Sequence, residues 1–335
     1  MVTGAAGFLG SHLVDRLLSE SHKVIGVDSF TGSYSPKSKR ENVSTALRDP
    51  NYALLEVDVA DLTVSMFPEL PEYVFHLAGQ PGVRQSWGRG FAGYVQRNIL
   101  ATQSLLEALR SRPPRRFLLA SSSSVYGACG RYPMGETQPP RPISPYGVSK
   151  LAAENLCFAY SREFSFSSVA LRFFTAYGPR QRPDMGVFRF LHAASSGRPV
   201  EVFGGAETQR DYTYVDDVID ACLAAMHLDV RFEAINVGNG RPISLTECLD
   251  VISRVTERDL IRLHRDRPPG DSTKTHADIR KARSLLGFEP KWSFPAGVKK
   301  QWEWYLGLPT TRAAVCEPGP ATPRATRNTG NGTND

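Results

Sequence analysis

Tyr146 and Lys150 stand four residues apart in "SPYGVSKLAAENL". On a helix that spacing returns to one face, so a phenol and an ammonium would project side by side. A free phenol titrates near pH ~10, too high for a base at neutral pH. A neighbouring ammonium favours the phenolate, and a shift of about three units needs about 4 kcal/mol of differential stabilisation. A Tyr–Lys pair of this kind also occurs on exposed helix faces. Its position after "LLASSSSVYG" argues for chemistry, because that apolar run ends in the hydroxyls of Ser122, Ser123 and Ser124, where a carbinol could be held.

The second chemical feature is the opening "MVTGAAGFLG", which runs into the amphipathic "SHLVDRLLSE". Gly4, Gly7 and Gly10 allow a tight turn, close approach of backbone N–H groups to a pyrophosphate, and close helix–strand packing. The strand "KVIGVD" then ends in Asp28, eighteen positions after Gly10. A carboxylate there accepts hydrogen bonds from the adenosine ribose and repels a 2′-phosphate, which favours NAD over NADP. Lys37, Lys39 and Arg40 follow and could serve a 2′-phosphate; Asp28 weighs against that reading. Asp58 and Val59, after the next strand, could flank an adenine. Only Met1, Val2 and Thr3 precede the loop, less than a full strand, so weaker NAD retention than in relatives is expected.

These residues need a scaffold. "HKVIGVDS", "YALLEVDV", "EYVFHLAG" and "RRFLLASS" read as strands separated by helical patterns, the first helix carrying Leu9, Leu13 and Leu17. Alternating β and α segments with continuous apolar strands predict an α/β doubly wound parallel sheet covered on both faces. After residue 175 the elements shorten, with strands expected at "VEVFG" and "FEAINVG" in a smaller half. The expected division is residues 1–175, residues 176–308 with the chain crossing back between the two, and a disordered Pro/Thr/Gly-rich tail over 309–335.

The chain has 335 residues, 41% hydrophobic and 22% charged, with a formal net charge of +6. No dominant basic run supports nucleic-acid binding; the excess suits a small anionic ligand. Five scattered cysteines without CxxC spacing argue against a zinc site, with no metal expected, and for a reducing, cytoplasmic setting. No apolar run is long enough for a membrane span, and no signal peptide is expected.

Taken together, TGAAGFLGSHL, Asp28, the DV at Asp58, HLAGQ, SSSSVYG, SPYGVSK, LRFFTAYGP, RDYTYVDD and NVGNG resemble the extended short-chain dehydrogenase/reductase superfamily, specifically its nucleotide-sugar epimerases and dehydratases. The resemblance runs from Val2 to about Leu308. It implies a Rossmann-type sheet with a smaller mixed α/β substrate domain. It further implies that Tyr146 removes the sugar 4-hydroxyl proton while hydride passes to a tightly held NAD. Lys150 would hold the nicotinamide ribose and lower the Tyr146 pKa, and Ser122 would hydrogen-bond the same oxygen. Gly4, Gly7, Phe8, Leu9, Asp28, Asp58, Val59, Leu77, Ala78, Gln80 and Asn98 are the implied cofactor contacts. The segment around Val200 to Phe203, with Val202 among its contacts, would line the uracil, Arg210 would meet the diphosphate, and Arg267 and Asp271 would be further nucleotide contacts. Pro268 stands where relatives place an arginine, and Ala101 where a glycine is usual after Asn98, so that helix is expected to pack differently. Many relatives are homodimers, which makes a homodimer the expectation. His12 and His76 read as packing residues.

The neighbours of Ser122 narrow the choice. Dehydratases resemble Thr-Asp-Glu and decarboxylases Thr-Ser-Glu at this place, whereas three serines cannot replace a carboxylate pair in acid–base work. "HLAGQPGVRQS", "ASSSSVYG" and "LRFFTAYGPRQRPDM" instead look like UDP-glucuronate 4-epimerases. Arg182 can offer a carboxylate a bidentate fork, with Ser123, Ser124 and Thr175 as neutral partners and Arg84 as a second cation. The expectation is therefore 4-epimerisation of UDP-glucuronate. UDP-glucose 4-epimerase and UDP-glucuronate decarboxylase are the alternatives within the class, and a non-catalytic NAD-sensing protein is the alternative outside it.

Overall fold

The structure, a computed structural model, describes residues 1–31, 34–205 and 207–308. The expected tail lies outside the described residues.

The apolar runs form strands β1 (Val2–Thr3), β2 (Val24–Val27), β3 (Tyr52–Leu55), β4 (Tyr73–His76), β5 (Arg116–Ser122) and β6 (Ser168–Phe173). There follow β7 (Thr175–Tyr177), β8 (Val200–Phe203), β9 (Gln209–Arg210), β10 (Tyr212–Tyr214), β11 (Phe232–Val237), β12 (Ile243–Ser244) and β13 (Arg262–Arg265). Seven strands make one parallel sheet in the order β11-β6-β5-β4-β1-β2-β3. Although β1 is only two residues long, it is central: Val2 pairs with Gly26 on one side and Phe75 on the other. The strand order reverses between β1 and β4, and in such sheets the crevice beyond the carboxyl ends of the two reversing strands is the ligand site.

Burial on both faces explains the unbroken apolar strands. Along β5 and β6, Leu118, Val169 and Leu171 join Leu13, Val14 and Leu17 of helix Phe8–Ser19 and Val215, Val218 and Ile219 of helix Val215–Met226. Phe117, Leu119 and Ala170 face the opposite layer, with Leu105, Leu106 and Leu109 of helix Ala101–Leu109 and Cys157 and Tyr160 of helix Pro145–Glu163. Each of the Val, Leu, Ile and Phe side chains among them contributes about 1.5–3 kcal/mol on burial.

"FEAINVG", expected in the smaller half, is β11 and completes the edge of the main sheet. It pairs with β6 along its whole length, from Phe232 opposite Ser168 to Val237 opposite Phe173. The chain leaves the sheet after β6 and returns through helix Val215–Met226 because the open edge of β6 needs an apolar partner; Ile235 and Val237 fill that place fully buried. Outside the sheet, short pairs are formed by β7 with β10 and β8 with β13, both parallel, and by β9 with β12, antiparallel. Before helix Ala101–Leu109 the turn Val95–Leu100 is wound as a π-helix, a wider turn that carries Asn98.

Candidate active site

Helix Pro145–Glu163 starts sharply. The Ser144 hydroxyl accepts from Gly147 N at 3.1 Å and Pro145 occupies the first turn, which fixes the face carrying Tyr146, Lys150 and Glu154. That face meets the carboxyl end of β5. The Ser122 side chain hydrogen-bonds Tyr146, and Ser124 N donates to Ser122 Oγ at 3.1 Å. Burial pushes the Tyr146 phenol up, while the Ser122 hydrogen bond and the Arg182 charge pull it down. Arg182 is thus a cation that acts on the phenol in the chain by itself. The Lys150 ammonium donates to the Ala120 carbonyl at 2.8 Å; burial lowers its pKa to about 8, and the nearby Glu154 charge opposes that fall.

Behind the trio lies a buried polar network. Arg172 donates to Glu154 through Nε at 2.9 Å and Nη2 at 2.8 Å, and Ser121 also donates to Glu154. Arg172 Nη1 reaches the Tyr126 hydroxyl at 3.0 Å, which in turn donates to Asn236 Oδ1 at 2.7 Å. A fully paired network of this kind holds the helix, β5 and β6 in one register.

The glycine loop faces a cavity of about 390 Å³ lined by Gly4, Gly7, Phe8, Leu9, Asp28, Asp58, Val59, Leu77, Ala78, Gln80, Ser122, Ser123, Ser124 and Lys150. Two glycines are required by close approach. Gly4 has φ +69° and a Cβ there would lie 2.8 Å from Ala78 N; a Cβ on Gly10 would lie 2.0 Å from Gly4 O. An extended, glycine-floored cavity at the strand-order reversal, ending in a buried carboxylate, fits a dinucleotide. Asn98, expected as a cofactor contact, has its side chain engaged with the protein behind the cavity wall. Its Oδ1 accepts from Gln80 N at 2.6 Å, and its Nδ2 donates to Gln80 O and Ser149 Oγ, both at 2.9 Å. With both N–H donors used, it braces the Gln80 loop against the helix. His76 sits between the hydroxyls of Thr3 and Thr102, and burial pushes its ring down to about 3. His12 is bonded to Pro179 O and is pushed down to about 4 by burial.

A larger cavity of about 910 Å³ adjoins the first, and Tyr34, Pro81, Tyr146, Thr175, Arg182 and Met185 line both. Tyr146 therefore stands where the two meet. Arg84, Arg210, Arg267 and Asp271 line the outer part. Arg84 sits at that outer end, away from the serines. It donates to Asp271 Oδ2 through Nε at 3.2 Å and Nη2 at 3.0 Å, and its guanidinium lies 3.9 Å from the Phe203 ring centre. Arg210 Nη1 donates to Thr273 O at 3.1 Å and Arg267 Nη1 to Thr273 Oγ1 at 3.0 Å. The expected segment Val200 to Phe203 reaches the cavity in part: along β8 alternate side chains point opposite ways, so Val200 and Val202 enter the core while Glu201 and Phe203 line the cavity.

Arg182 is mostly buried, and Asp184 holds it bidentately, from Nε at 3.0 Å and from Nη2 at 2.9 Å. That partner was not anticipated; its only sequence signal is a carboxylate two residues from the arginine in a loop. Two of the five guanidinium donors are engaged, so the fork can still take a second carboxylate. Among the described residues no group of three or more His, Cys, Asp and Glu side chains could hold a metal ion, and no helix is long and apolar enough to cross a membrane.

Comparison with known proteins agrees with this geometry. The sequence model described as "NAD dependent epimerase/dehydratase family" matches residues 1–238. A Bacillus subtilis protein named uncharacterized UDP-glucose epimerase YtcB is 38% identical over 312 residues, covering 92% of this chain and 98% of its own. A UDP-glucuronate 4-epimerase of Thermodesulfobacterium geofontis is 32% identical over 308 residues, covering 91% and 95%. The crystal structure of the Bacillus cereus UDP-glucuronic acid 4-epimerase, in complex with UDP-glucuronic acid and NAD, superposes with TM-score 0.87 at 36% identity, covering 90% of this chain and 97% of that one. A match over most of the chain, on the fold and glycine-loop cavity described above, shows that the protein belongs to the NAD-dependent epimerase/dehydratase family.

Proposed function

We propose that this chain interconverts UDP-glucuronate and UDP-galacturonate by 4-epimerisation. The observation that carries the reading is the junction of the two cavities. There Tyr146, hydrogen-bonded by Ser122, shares one site with Arg182, Thr175, Ser123 and Ser124. The names of the relatives point the same way.

NAD held along the glycine loop, Asp28, Asp58–Val59 and Leu77–Gln80, with Lys150 at the nicotinamide ribose, supplies the acceptor and donor of hydride at sugar C4. Tyr146 takes the 4-hydroxyl proton and returns it when the alcohol re-forms. Ser122 donates to the phenolate and holds the reacting oxygen. Arg210, Arg267 and Asp271 hold the uridine diphosphate in the outer cavity against Phe203, and the residues of 176–308 form most of this outer wall. The 4-keto sugar is a β-keto acid, which loses CO₂ when its C5–carboxylate bond stands perpendicular to the carbonyl plane. Arg182, Thr175 and the serine hydroxyls restrain the carboxylate from that alignment while the ring turns its other face. Phe203→Ala is expected to raise KM for the UDP-sugar about tenfold with kcat little changed, because the ring packs the nucleotide end and not the reacting carbon; steady-state kinetics checks this.

The test of the reading is to incubate the purified protein with UDP-glucuronate or UDP-glucose, without added NAD, and follow products by NMR. UDP-galacturonate is expected; CO₂ with pentose products, or action on UDP-glucose alone, would sink the reading. UDP-glucose 4-epimerisation is the second reading, favoured by Asp184 already satisfying part of the Arg182 fork. A homodimer is part of the proposal, supported by exposed Leu100, Val148 and Phe158. So is a cytoplasmic setting, supported by the free thiols Cys129, Cys157, Cys222 and Cys248.

A further inference from the structure

The adenosine end of the glycine-loop cavity holds a charge pair. Asp28 Oδ2 accepts from Ala6 N at 3.1 Å, and its Oδ1 accepts from Phe30 N at 2.8 Å and from Lys39 Nζ at 2.9 Å. The Asp28 and Lys39 side chains are only 3% and 11% exposed, and both line the cavity with Gly4 and Gly7. The other basic residues of this segment are directed elsewhere. Arg40 holds Glu56 bidentately at 3.1 and 2.6 Å and stacks 4.3 Å from the Phe30 ring centre, while Lys37 is exposed and outside the cavity lining. Lys39 also donates to Thr31 O at 2.8 Å. An ammonium has three donors, so one remains for an oxygen in the cavity.

We propose that Lys39 is a specificity residue for the adenosine ribose. In the pair with Asp28 it neutralises the carboxylate and donates to a ribose hydroxyl, and with Asp28 neutralised it becomes the ready partner of a 2′-phosphate. The proposal rests on reading this cavity as the NAD site. As built, the pair is neutral, and a 2′-phosphate would have to displace Asp28 from Lys39 while lying against the displaced carboxylate. Asp28→Asn removes that repulsion and leaves a buried ammonium whose best partner is a dianion. Lys39→Met leaves an uncompensated carboxylate, which rejects phosphate more strongly and holds the ribose less well.

The test uses the full chain as wild type, Asp28→Asn, Lys39→Met and the double variant. Each is equilibrated with NAD and NADP at equal concentrations and freed of unbound dinucleotide. The retained dinucleotides are quantified by chromatography after denaturation, with thermal shifts in parallel and circular dichroism as a control of folding. Wild type is expected to retain NAD. Asp28→Asn should move the NADP:NAD ratio upward by about 100-fold, the scale of a charge-assisted bond gained where a like charge stood. Lys39→Met should move it downward, and the double variant should lose the gain of Asp28→Asn. If Asp28→Asn does not fold, the downward shift in Lys39→Met is the deciding result. A double variant that accepts NADP as well as Asp28→Asn, or an unmoved ratio in proteins that bind NAD, would overturn the role of Lys39 alone. Failure of every protein, wild type included, to retain or be stabilised by either dinucleotide would overturn the cavity reading and this proposal with it.

Discussion

Tyr146→Phe is expected to lower kcat by about 10²–10⁴-fold, the range of a positioned acid–base group, with KM and thermal stability little changed. The phenol stands at the junction of the two cavities with its hydroxyl bonded to Ser122, and burial alone would keep it protonated. The Ser122 hydrogen bond and the Arg182 charge offset that burial, so removing the hydroxyl removes the one atom on which both act. Two nearby bases are already committed. His76 is locked between two threonines and pushed down to about 3, and Lys150 is bound to a backbone carbonyl. The ring itself, edge-on to Tyr94 at 6.0 Å between centroids, remains in the variant and keeps the packing. Steady-state kinetics with a thermal unfolding scan checks both halves; kcat within tenfold of wild type would contradict the role.

Arg182→Ala is expected to slow epimerisation about 100-fold and to raise the share of CO₂ among the products. Each charge-assisted bond to the sugar carboxylate is worth about 1.5–3 kcal/mol, so losing two at the low end of that range accounts for a factor of about 100. The partition changes because a carboxylate released from the fork can turn into the alignment that expels CO₂. The fold should tolerate the change, since Asp184 is half-buried and can hydrate once its partner is gone. Arg182→Lys should not rescue the partition, because a lysine offers a point charge in place of a planar fork. The measurement is product analysis by NMR with trapping of labelled CO₂ from carboxyl-labelled substrate. An unchanged rate and product ratio would show that Arg182 does not clamp the carboxylate.

The parts of the site legible in the sequence are those whose geometry is local. Gly4 and Gly10 are required by contacts within one turn and with the adjacent strand, and Tyr146 and Lys150 share a face because four residues make one helical turn. Ser122 ends a seven-residue buried strand, so a run of apolar letters places it. What local patterns miss is set by distant parts of the chain. Arg84 meets Asp271 and Phe203 across the outer cavity, and β11 joins the main sheet only because β6 has an open edge. Lys39 was readable as a cation near the ribose, but its pairing with Asp28 depends on how the following helix folds back. Asn98 was named from the family resemblance alone; its hydrogen bonds to Gln80 and Ser149 depend on the π-turn that carries it, which no local pattern announces. Arg182 was visible as a charge, whereas its partner Asp184 was hidden in an irregular loop with Arg180 at φ +62°, where no periodicity guides a reading.

The central claim is that one site oxidises and re-reduces the same C4 carbon without exchange with solvent. The most direct measurement uses UDP-glucuronate carrying deuterium at C4, incubated with the protein in ordinary water, with the UDP-galacturonate examined by NMR and mass spectrometry. The account predicts that deuterium is retained at C4 of the product. UDP-galacturonate with protium at C4 would contradict it, because the hydrogen would then have left the site and been replaced from solvent.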